Sequence, residues 1–424
     1  MLSFHNSFWF TLFNYQVFNV KKRTKDILNK AIKLYDDDYY FKTKQHLTHN
    51  QLKALKKEIK QIADTKNNGL IKFTKFLKPL VLPTAKRITL EAHFDFLKLI
   101  TGKNIVVYMP NHKSHLDEFM IGYTLLTKNL PIPITAAGEN LFKSKVSGYL
   151  LKSYGAFKIR RDKYSEDEHY YRMLSSYIGA CLISGEQIMS FQEGTRPRDG
   201  KIGMFRKGII GTIESLFNRI KNDSDTDIED ITFVPIAINW SENPDEKKLT
   251  ADLNAKAEST DLISRFLNLR KTHSSKDIRG VFLGFGEPLS YNQFVSENAP
   301  DEKSDGYAIG ICNEIRSRVI NLMPVFKKHL FYNSIQYLSK YNKFVKTEEA
   351  VQLMNITQNN IMQNEHPIRI IETDDYSVEG QLELMVKRDI IRFNDKGDAF
   401  EILKPNLVNY YANHVISLLE ERGD

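Results

Sequence analysis

Cysteine is nearly absent from this chain. Its 424 residues include only Cys181 and Cys312, 131 positions apart. A disulfide-stapled secreted scaffold is thereby excluded, and a reducing compartment is the default. Also missing is any run of the ~18 consecutive apolar residues that a spanning helix needs. The N-terminus has no positive region and no small-residue cleavage site, so a signal peptide is not expected. Internal repeats and long low-complexity tracts are lacking too, which argues against solenoids and disordered arrays. Acidic residues are scarce in one place. Residues 1–85 hold 16 Lys and Arg against 6 Asp and Glu, whereas the other 339 residues hold 44 against 46. The formal +8 of the whole protein is therefore a property of its first fifth, and it suits an anionic partner.

What is present begins with aromatics. Phe4, Phe8, Trp9, Phe10, Leu12, Phe13, Tyr15, Val17 and Phe18 precede Lys21-Lys22-Arg23. That order suits a segment lying in the interface of an anionic membrane, and it equally suits a cap on the core of a first domain. Residues 48–64 read as an amphipathic helix. Thr48 and Gln51 have capping-box spacing, and Leu52, Leu55, Ile59 and Ile62 form one stripe. Lys78-Pro79 and Leu82-Pro83 then bracket a linker.

Beyond the linker the pattern changes. Short β-branched or aromatic runs at 105–108, 132–134, 156–159, 187–191, 232–238 and 281–285 alternate with helical stretches at 117–127, 142–153, 166–184, 203–220 and 305–322. Such alternation predicts an α/β fold with a mostly parallel central sheet flanked by helices. The expected organisation is an N-terminal basic helical domain over 1–83, an α/β domain over 84–324 and a small, mostly helical C-terminal domain over 325–424. Residues 221–230 read as a surface loop and 242–278 as an insertion with some helix.

Three constellations carry chemistry. The run 105–109 leads into Asn111-His112-Lys113-Ser114-His115-Leu116-Asp117. On a helix His112 and Asp117 would point about 140° apart at ~100° per residue, so they meet only if the chain turns between them. With Asp117 near a helix start and His112 on the loop, the carboxylate would hold the imidazole Nδ1–H. Nε2 would then be free to accept a proton from an attacking hydroxyl. A metal set of His112, His115 and Asp117 is the alternative, but no Cys or further His stands at ligand spacing. The second constellation is Phe191-Gln192-Glu193-Gly194-Thr195-Arg196-Pro197-Arg198, and the third is Gly155-Ala156-Phe157-Lys158-Ile159-Arg160-Arg161. Both follow predicted strands and present paired guanidinium groups, which suit phosphate by charge and bidentate geometry. Parallel sheets bind ligands at the carboxyl ends of their strands, where all three would converge.

Together with Phe233-Val234-Pro235-Ile236-Ala237-Ile238, these segments resemble the four ordered sequence blocks of the glycerolipid acyltransferases. The resemblance implies acyl transfer from an acyl thioester to a hydroxyl of a glycerol phosphate, without a metal or redox cofactor. Ala136 to Leu141, Gly155-Ala156-Phe157 and the tail Tyr410-Tyr411-Ala412-Asn413-His414 are similar to the glycerol-3-phosphate acyltransferase branch. The Glu193 to Arg196 run and Asp199-Gly200-Lys201 read more like the lysophosphatidate branch, whose acceptor is the alternative.

The resemblance assigns His112 as general base and Asp117 as its orienting carboxylate. It makes Arg160, Arg161, Arg196 and Arg198 candidates for the acceptor phosphate, with Glu193 and Gly194 shaping the acceptor pocket. Glycerol 3-phosphate and acyl-CoA or acyl-acyl carrier protein are the expected substrates. A peripheral place on the cytoplasmic face of an anionic membrane is expected, with no spanning helix. Oxyanion donors are sought among backbone N–H groups near 112–118 or 194–196. A non-catalytic basic protein binding nucleic acid or membrane is the different-class alternative. No nucleic-acid-binding motif supports it, and it leaves the His–Asp and arginine blocks unexplained.

Overall fold

The computed structural model describes residues 3–64, 88–92, 103–142, 144–164, 166–221, 227–251, 280–300, 306–373 and 376–422. The linker expected at 78–83, most of the insertion expected over 242–278, and the side chains of the aromatic segment 4–18 lie outside the described part.

Two helices open the chain, α1 (Ser3–Thr43) and α2 (His49–Ile62). The capping box is formed: Thr48 accepts from the Gln51 amide, and the Gln51 side chain accepts from the Thr48 N–H at 2.9 Å. Leu55, Ile59 and Ile62 are buried, so the apolar stripe serves the core, while Lys53, Lys57 and Lys60 stay exposed. Ile27, Leu28, Ala31 and Tyr35 of α1 join the same core cluster, which continues into the main sheet through Ile105 and Val107.

The sheet follows: β1 (Ile88–Ala92), β2 (Asn104–Pro110), β3 (Ile134–Gly138), β4 (Ala156–Ile159), β5 (Ile188–Met189), β6 (Asp230–Trp240), β7 (Val281–Phe285) and β8 (Leu289–Ser290). Their order is β1-β7-β6-β2-β5-β3-β4, with β8 beside β6. The pairs β6–β2, β2–β5, β5–β3, β3–β4 and β1–β7 are parallel, whereas β7 and β8 run antiparallel to β6. The mostly parallel α/β sheet expected from the alternation is thus present. Strands β2, β6 and β7 are buried on both faces, which is why they read as continuous apolar runs rather than alternating ones.

Helices cover both faces. One face carries α6 (Glu168–Ile183), α7 (Gly208–Ile220) and α10 (Ala308–Leu322); the other carries α3 (Asp117–Thr127) and α4 (Lys145–Ser153). The short helices α5 (Arg161–Tyr164), α8 (Glu246–Leu249) and α9 (Tyr291–Glu297) lie in the connections. The third strand starts two residues later than the run at 132–134 suggested, because Pro131 and Pro133 lie in the extended approach to it.

After Pro324 come α11 (Lys327–Ser339), α12 (Thr347–Gln363), α13 (Val378–Lys387) and α14 (Pro405–Arg422). Short strands accompany them, including a three-stranded sheet over Val345–Lys346, Ile391–Phe393 and Ala399–Ile402. No helix among the described residues is long and apolar enough to cross a membrane.

Ile59 is fully buried, so Ile59→Ala should lower stability by about 2–4 kcal/mol through the cavity it leaves. Urea denaturation of the two proteins checks this. A change below about 0.5 kcal/mol, the size typical of surface sites, would contradict the inward packing of α2.

Candidate active site

The carboxyl ends of β2, β5, β3 and β4 lie side by side, because all four strands are parallel neighbours. His112, Glu193, Glu139 and Arg160 follow those four ends, in that order across the sheet. With ~4.8 Å between strands, the edge from β2 to β4 spans about 14 Å.

Asn111 decides where β2 lets go of the sheet. It is fully buried, its Oδ1 accepts from the Ile238 N–H at 2.7 Å, and its Nδ2 donates to the Ile238 carbonyl at 3.0 Å. The side chain imitates the next rung of the β2–β6 ladder. The chain can therefore turn away immediately afterwards, leaving His112 at the rim.

The turn required by the His–Asp spacing is formed. Asp117 is the first residue of α3, and its Oδ2 lies 3.0 Å from His112 Nδ1. Oδ2 also accepts from the backbone N–H groups of Lys113 (2.6 Å) and Ser114 (2.8 Å), and Oδ1 accepts from Trp240 Nε1 at 2.8 Å. An ionised carboxylate only accepts, so Nδ1 carries the imidazole proton and Nε2 is the basic nitrogen. Nε2 has no hydrogen-bond partner among the described residues, and the ring lies against Phe191 with centroids 4.2 Å apart. His112 keeps 18% of its side chain exposed while Asp117 has none, so the pair is open only on the imidazole side.

Glu193 holds this loop from the neighbouring strand. Its Oε1 accepts from the His112 N–H at 2.7 Å and its Oε2 from the Gly203 N–H at 2.8 Å. Burial pushes its carboxyl up to about 7, opposed by Lys113 and by the two N–H groups. Burial likewise pulls the Lys113 ammonium down to about 8, against the pull of Glu193, Asp199 and Asp117. Lys113 is anchored on the Gly200 carbonyl. Gly194 has φ +71 with open space where a side chain would stand, so backbone conformation rather than crowding calls for glycine there.

The three arginines whose side chains are described, Arg160, Arg196 and Arg198, do not share one environment. Arg196 Nη1 pairs with Asp245 Oδ2 at 2.5 Å, and that oxygen also accepts from the His115 N–H at 2.8 Å. Arg196 therefore sits one carboxylate away from the His112 loop. Arg198 is taken up by the carbonyls of Leu249 and Ala251, at 3.2 and 2.7 Å. Arg160 Nε bonds Glu139 at 3.0 Å, beside Lys158, on a cavity of about 540 Å³ that both arms line. The side chain of Arg161 lies outside the described residues.

Of the N–H groups near 112–118 expected as oxyanion donors, six are already engaged. Those of His112 through Asp117 are all spent: on Glu193, Asp117, Asp245 and the Ser114 oxygens. Among the described residues the amides of Thr195 and Arg196 carry no partner.

Trp240 and Asp245 escaped the sequence reading, since each lies far in sequence from the group it serves; Asn111 and Lys113 were read only as members of the His112 motif, without the roles found here. A signal existed for one of them: a buried tryptophan N–H needs an acceptor, and Trp240 is one of only two tryptophans.

The class of protein is indicated by comparison with known proteins. Residues 92–239 match the family model described as Acyltransferase. A dihydroxyacetone phosphate acyltransferase of Oryctolagus cuniculus is 25% identical over 282 residues, which are 65% of this chain and 40% of that protein. A glycerol-3-phosphate acyltransferase of Xylella fastidiosa (strain M23) is 29% identical over 243 residues, 57% of this chain and 27% of that protein. The Homo sapiens dihydroxyacetone phosphate acyltransferase is 27% identical over 245 residues, 56% of this chain and 35% of that protein. The matched region thus spans well under half the length of these relatives. Residues 92–239 therefore carry a region similar to the acyltransferase domain, and relatives matching it are named glycerol-3-phosphate and dihydroxyacetone phosphate acyltransferases.

Because burial raises the Glu193 pKa, its stabilising contribution is full below about pH 4 and is lost as pH rises toward 7. A glutamine there cannot ionise. Urea denaturation at pH 5 and pH 7.5 should show the wild type losing on the order of 2 kcal/mol more than Glu193→Gln across that interval. Parallel pH profiles would contradict the burial of an ionisable clamp.

Proposed function

We propose that this protein moves a fatty acyl group from an acyl thioester to the sn-1 hydroxyl of glycerol 3-phosphate, giving lysophosphatidate. The observation that carries the reading is the His112–Asp117 pair, with Nε2 unengaged at the rim of the sheet. The relatives named for acyl transfer to three-carbon phosphates support the choice of acceptor.

In this reading His112 Nε2 takes the acceptor hydroxyl proton as the oxygen attacks the thioester carbonyl carbon. Asp117 holds the imidazole in the required tautomer and faces the imidazolium that forms. As the tetrahedral intermediate collapses the carbon–sulfur bond breaks, and the departing sulfur recovers its proton from Nε2. The thioester is already activated, so the site needs a base, a positioned acceptor and oxyanion donors, but no metal or redox cofactor. The Thr195 and Arg196 N–H groups are the donors assigned here. Arg196, next to the His112 loop, binds the acceptor phosphate; Arg160, Arg161 and Arg198 are the further candidates, and Arg160 and Arg198 would have to give up partners they now hold. Glu193 and Gly194 shape the acceptor pocket. Acyl-CoA or acyl-acyl carrier protein supplies the chain.

Dihydroxyacetone phosphate is a second acceptor, favoured by the names of the rabbit and human relatives. It offers the same primary hydroxyl and phosphate. The surplus of basic residues over 1–85 and the aromatics ahead of Lys21 support peripheral attachment to the anionic cytoplasmic face of a membrane.

Incubation with acyl donor and labelled glycerol 3-phosphate, dihydroxyacetone phosphate or lysophosphatidate separates the acceptors. Labelled lysophosphatidate from glycerol 3-phosphate is expected, and acylation of added lysophospholipid alone would sink the reading. His112→Ala should cost roughly 10²–10⁴ in rate, the span of general-base catalysis. On vesicles containing phosphatidylserine, co-flotation should weaken as salt rises; binding indifferent to lipid charge would contradict the electrostatic attachment.

A further inference from the structure

The tail motif Tyr410 to His414 has no part in the reaction as written, yet its side chains and backbone end on the two loops that build the site. Asn243 is the junction. It is 2% exposed, and its Nδ2 donates to the Lys113 carbonyl at 2.8 Å and to the Tyr410 hydroxyl at 2.6 Å. Its own N–H donates to the Tyr411 hydroxyl at 2.8 Å, and its Oδ1 accepts from the Asp245 N–H at 2.8 Å. Asp245 is the carboxylate that joins Arg196 to the His115 N–H. One amide therefore ties the residue next to the histidine, the partner of Arg196 and two tyrosines of α14 into a single buried unit.

The second grip is on the loop after Arg198. Gly200 has φ +86, and a Cβ there would stand 2.1 Å from the Tyr410 carbonyl oxygen, so α14 lies directly on this backbone. The Gly200 carbonyl is the anchor of Lys113, and Asn413 Nδ2 donates to the adjoining Asp199 carbonyl at 2.9 Å. Deeper in, His414 Nδ1 meets His329 Nδ1 at 3.2 Å, and His329 Nε2 donates to the Ser241 carbonyl at 3.0 Å, two residues before Asn243. Burial lowers the pKa of both rings, to about 3 for His329, so both are neutral. With Nε2–H on His329, its Nδ1 is the acceptor and His414 Nδ1–H the donor.

Apolar packing holds the helix as well. Leu407, Val408, Val415 and Leu418 are buried in the main core cluster and hold α14 by apolar packing. The polar contacts of α14 fall directly on residues 199–200 and 243–246, and reach Lys113 through Asn243.

We propose that α14 is a positioning element of the active site, in which Tyr410, acting through Asn243, sets the loop that carries His112 and Asp117. This rests on the acyl-transfer reading for its kinetic consequence, though not for its structural one. Tyr410→Phe removes a single oxygen, keeps the ring in its packing, and leaves one Asn243 N–H buried without an acceptor. Asn243→Asp removes both N–H donors while keeping an oxygen for the Asp245 amide.

Two measurements test the proposal on the full chain. The first is hydrogen exchange at the Lys113 and Ser114 amides, which donate to Asp117. Both variants should exchange there about tenfold faster, with the β2 and β6 amides unchanged. The second is steady-state kinetics, where kcat should fall roughly 10–100-fold while both KM values stay within about threefold, as for a misplaced base. A purely structural role would lower melting temperature and soluble yield, without a selective effect at residues 113 and 114 or on kcat. Unchanged exchange at those amides overturns the proposal, as does faster exchange with wild-type kcat. If the parent protein transfers no acyl group, the acyl-transfer reading has failed, and the exchange measurement still decides whether α14 sets the loop.

Discussion

The site depends on one buried carboxylate. Asp117 has no exposed surface, and four N–H groups converge on it: His112 Nδ1, the amides of Lys113 and Ser114, and Trp240 Nε1. Three of these donors lie within five residues and bend the chain around the carboxylate. The fourth reaches from the far end of β6 and fixes the turn to the sheet. A loop so constrained leaves the imidazole one orientation and one tautomer. That is what a base needs if its second nitrogen is to work on a substrate.

Around that carboxylate the sheet supplies rigid ground and the neighbouring loops supply charge. Asn111 extends the β2–β6 ladder by one side-chain rung, and Glu193 brings the next strand to the His112 amide. Charges are balanced locally. Lys113 lies among Glu193, Asp199 and Asp117, Arg196 faces Asp245, and Arg160 faces Glu139. An anion arriving at this edge meets guanidinium groups already held by carboxylates or carbonyls, and must share or exchange those partners.

Much of the fold was legible because its signals are local. The apolar runs of β2, β6 and β7 are continuous since both sheet faces are covered, and helices 117–127, 168–183 and 208–220 follow from their own spacing. The His112–Asp117 contact was legible for the same reason: five residues, one turn and one helix start suffice. The different surroundings of Arg160, Arg196 and Arg198 were not. Their partners, Glu139, Asp245, Leu249 and Ala251, lie 21 to 53 positions away and carry no pattern that marks them. The amphipathic helix at 49–62 was legible from its capping box and its stripe of Leu52, Leu55, Ile59 and Ile62, but the partner of that stripe was not. The structure packs Leu55, Ile59 and Ile62 into the main core cluster.

By itself the sequence determined the α/β class, the strand-end position of the three motifs and the pairing of an imidazole with a carboxylate. Each depends on neighbours along the chain, where spacing and residue type are sufficient. Tertiary structure alone decided which groups hold that pair in place. Trp240 reaches Asp117 across 123 positions, and Tyr410 reaches Asn243 across 167. Buried polar groups must find partners wherever folding brings them, and that proximity is fixed by the packed sheet and helices rather than by any local run of residues.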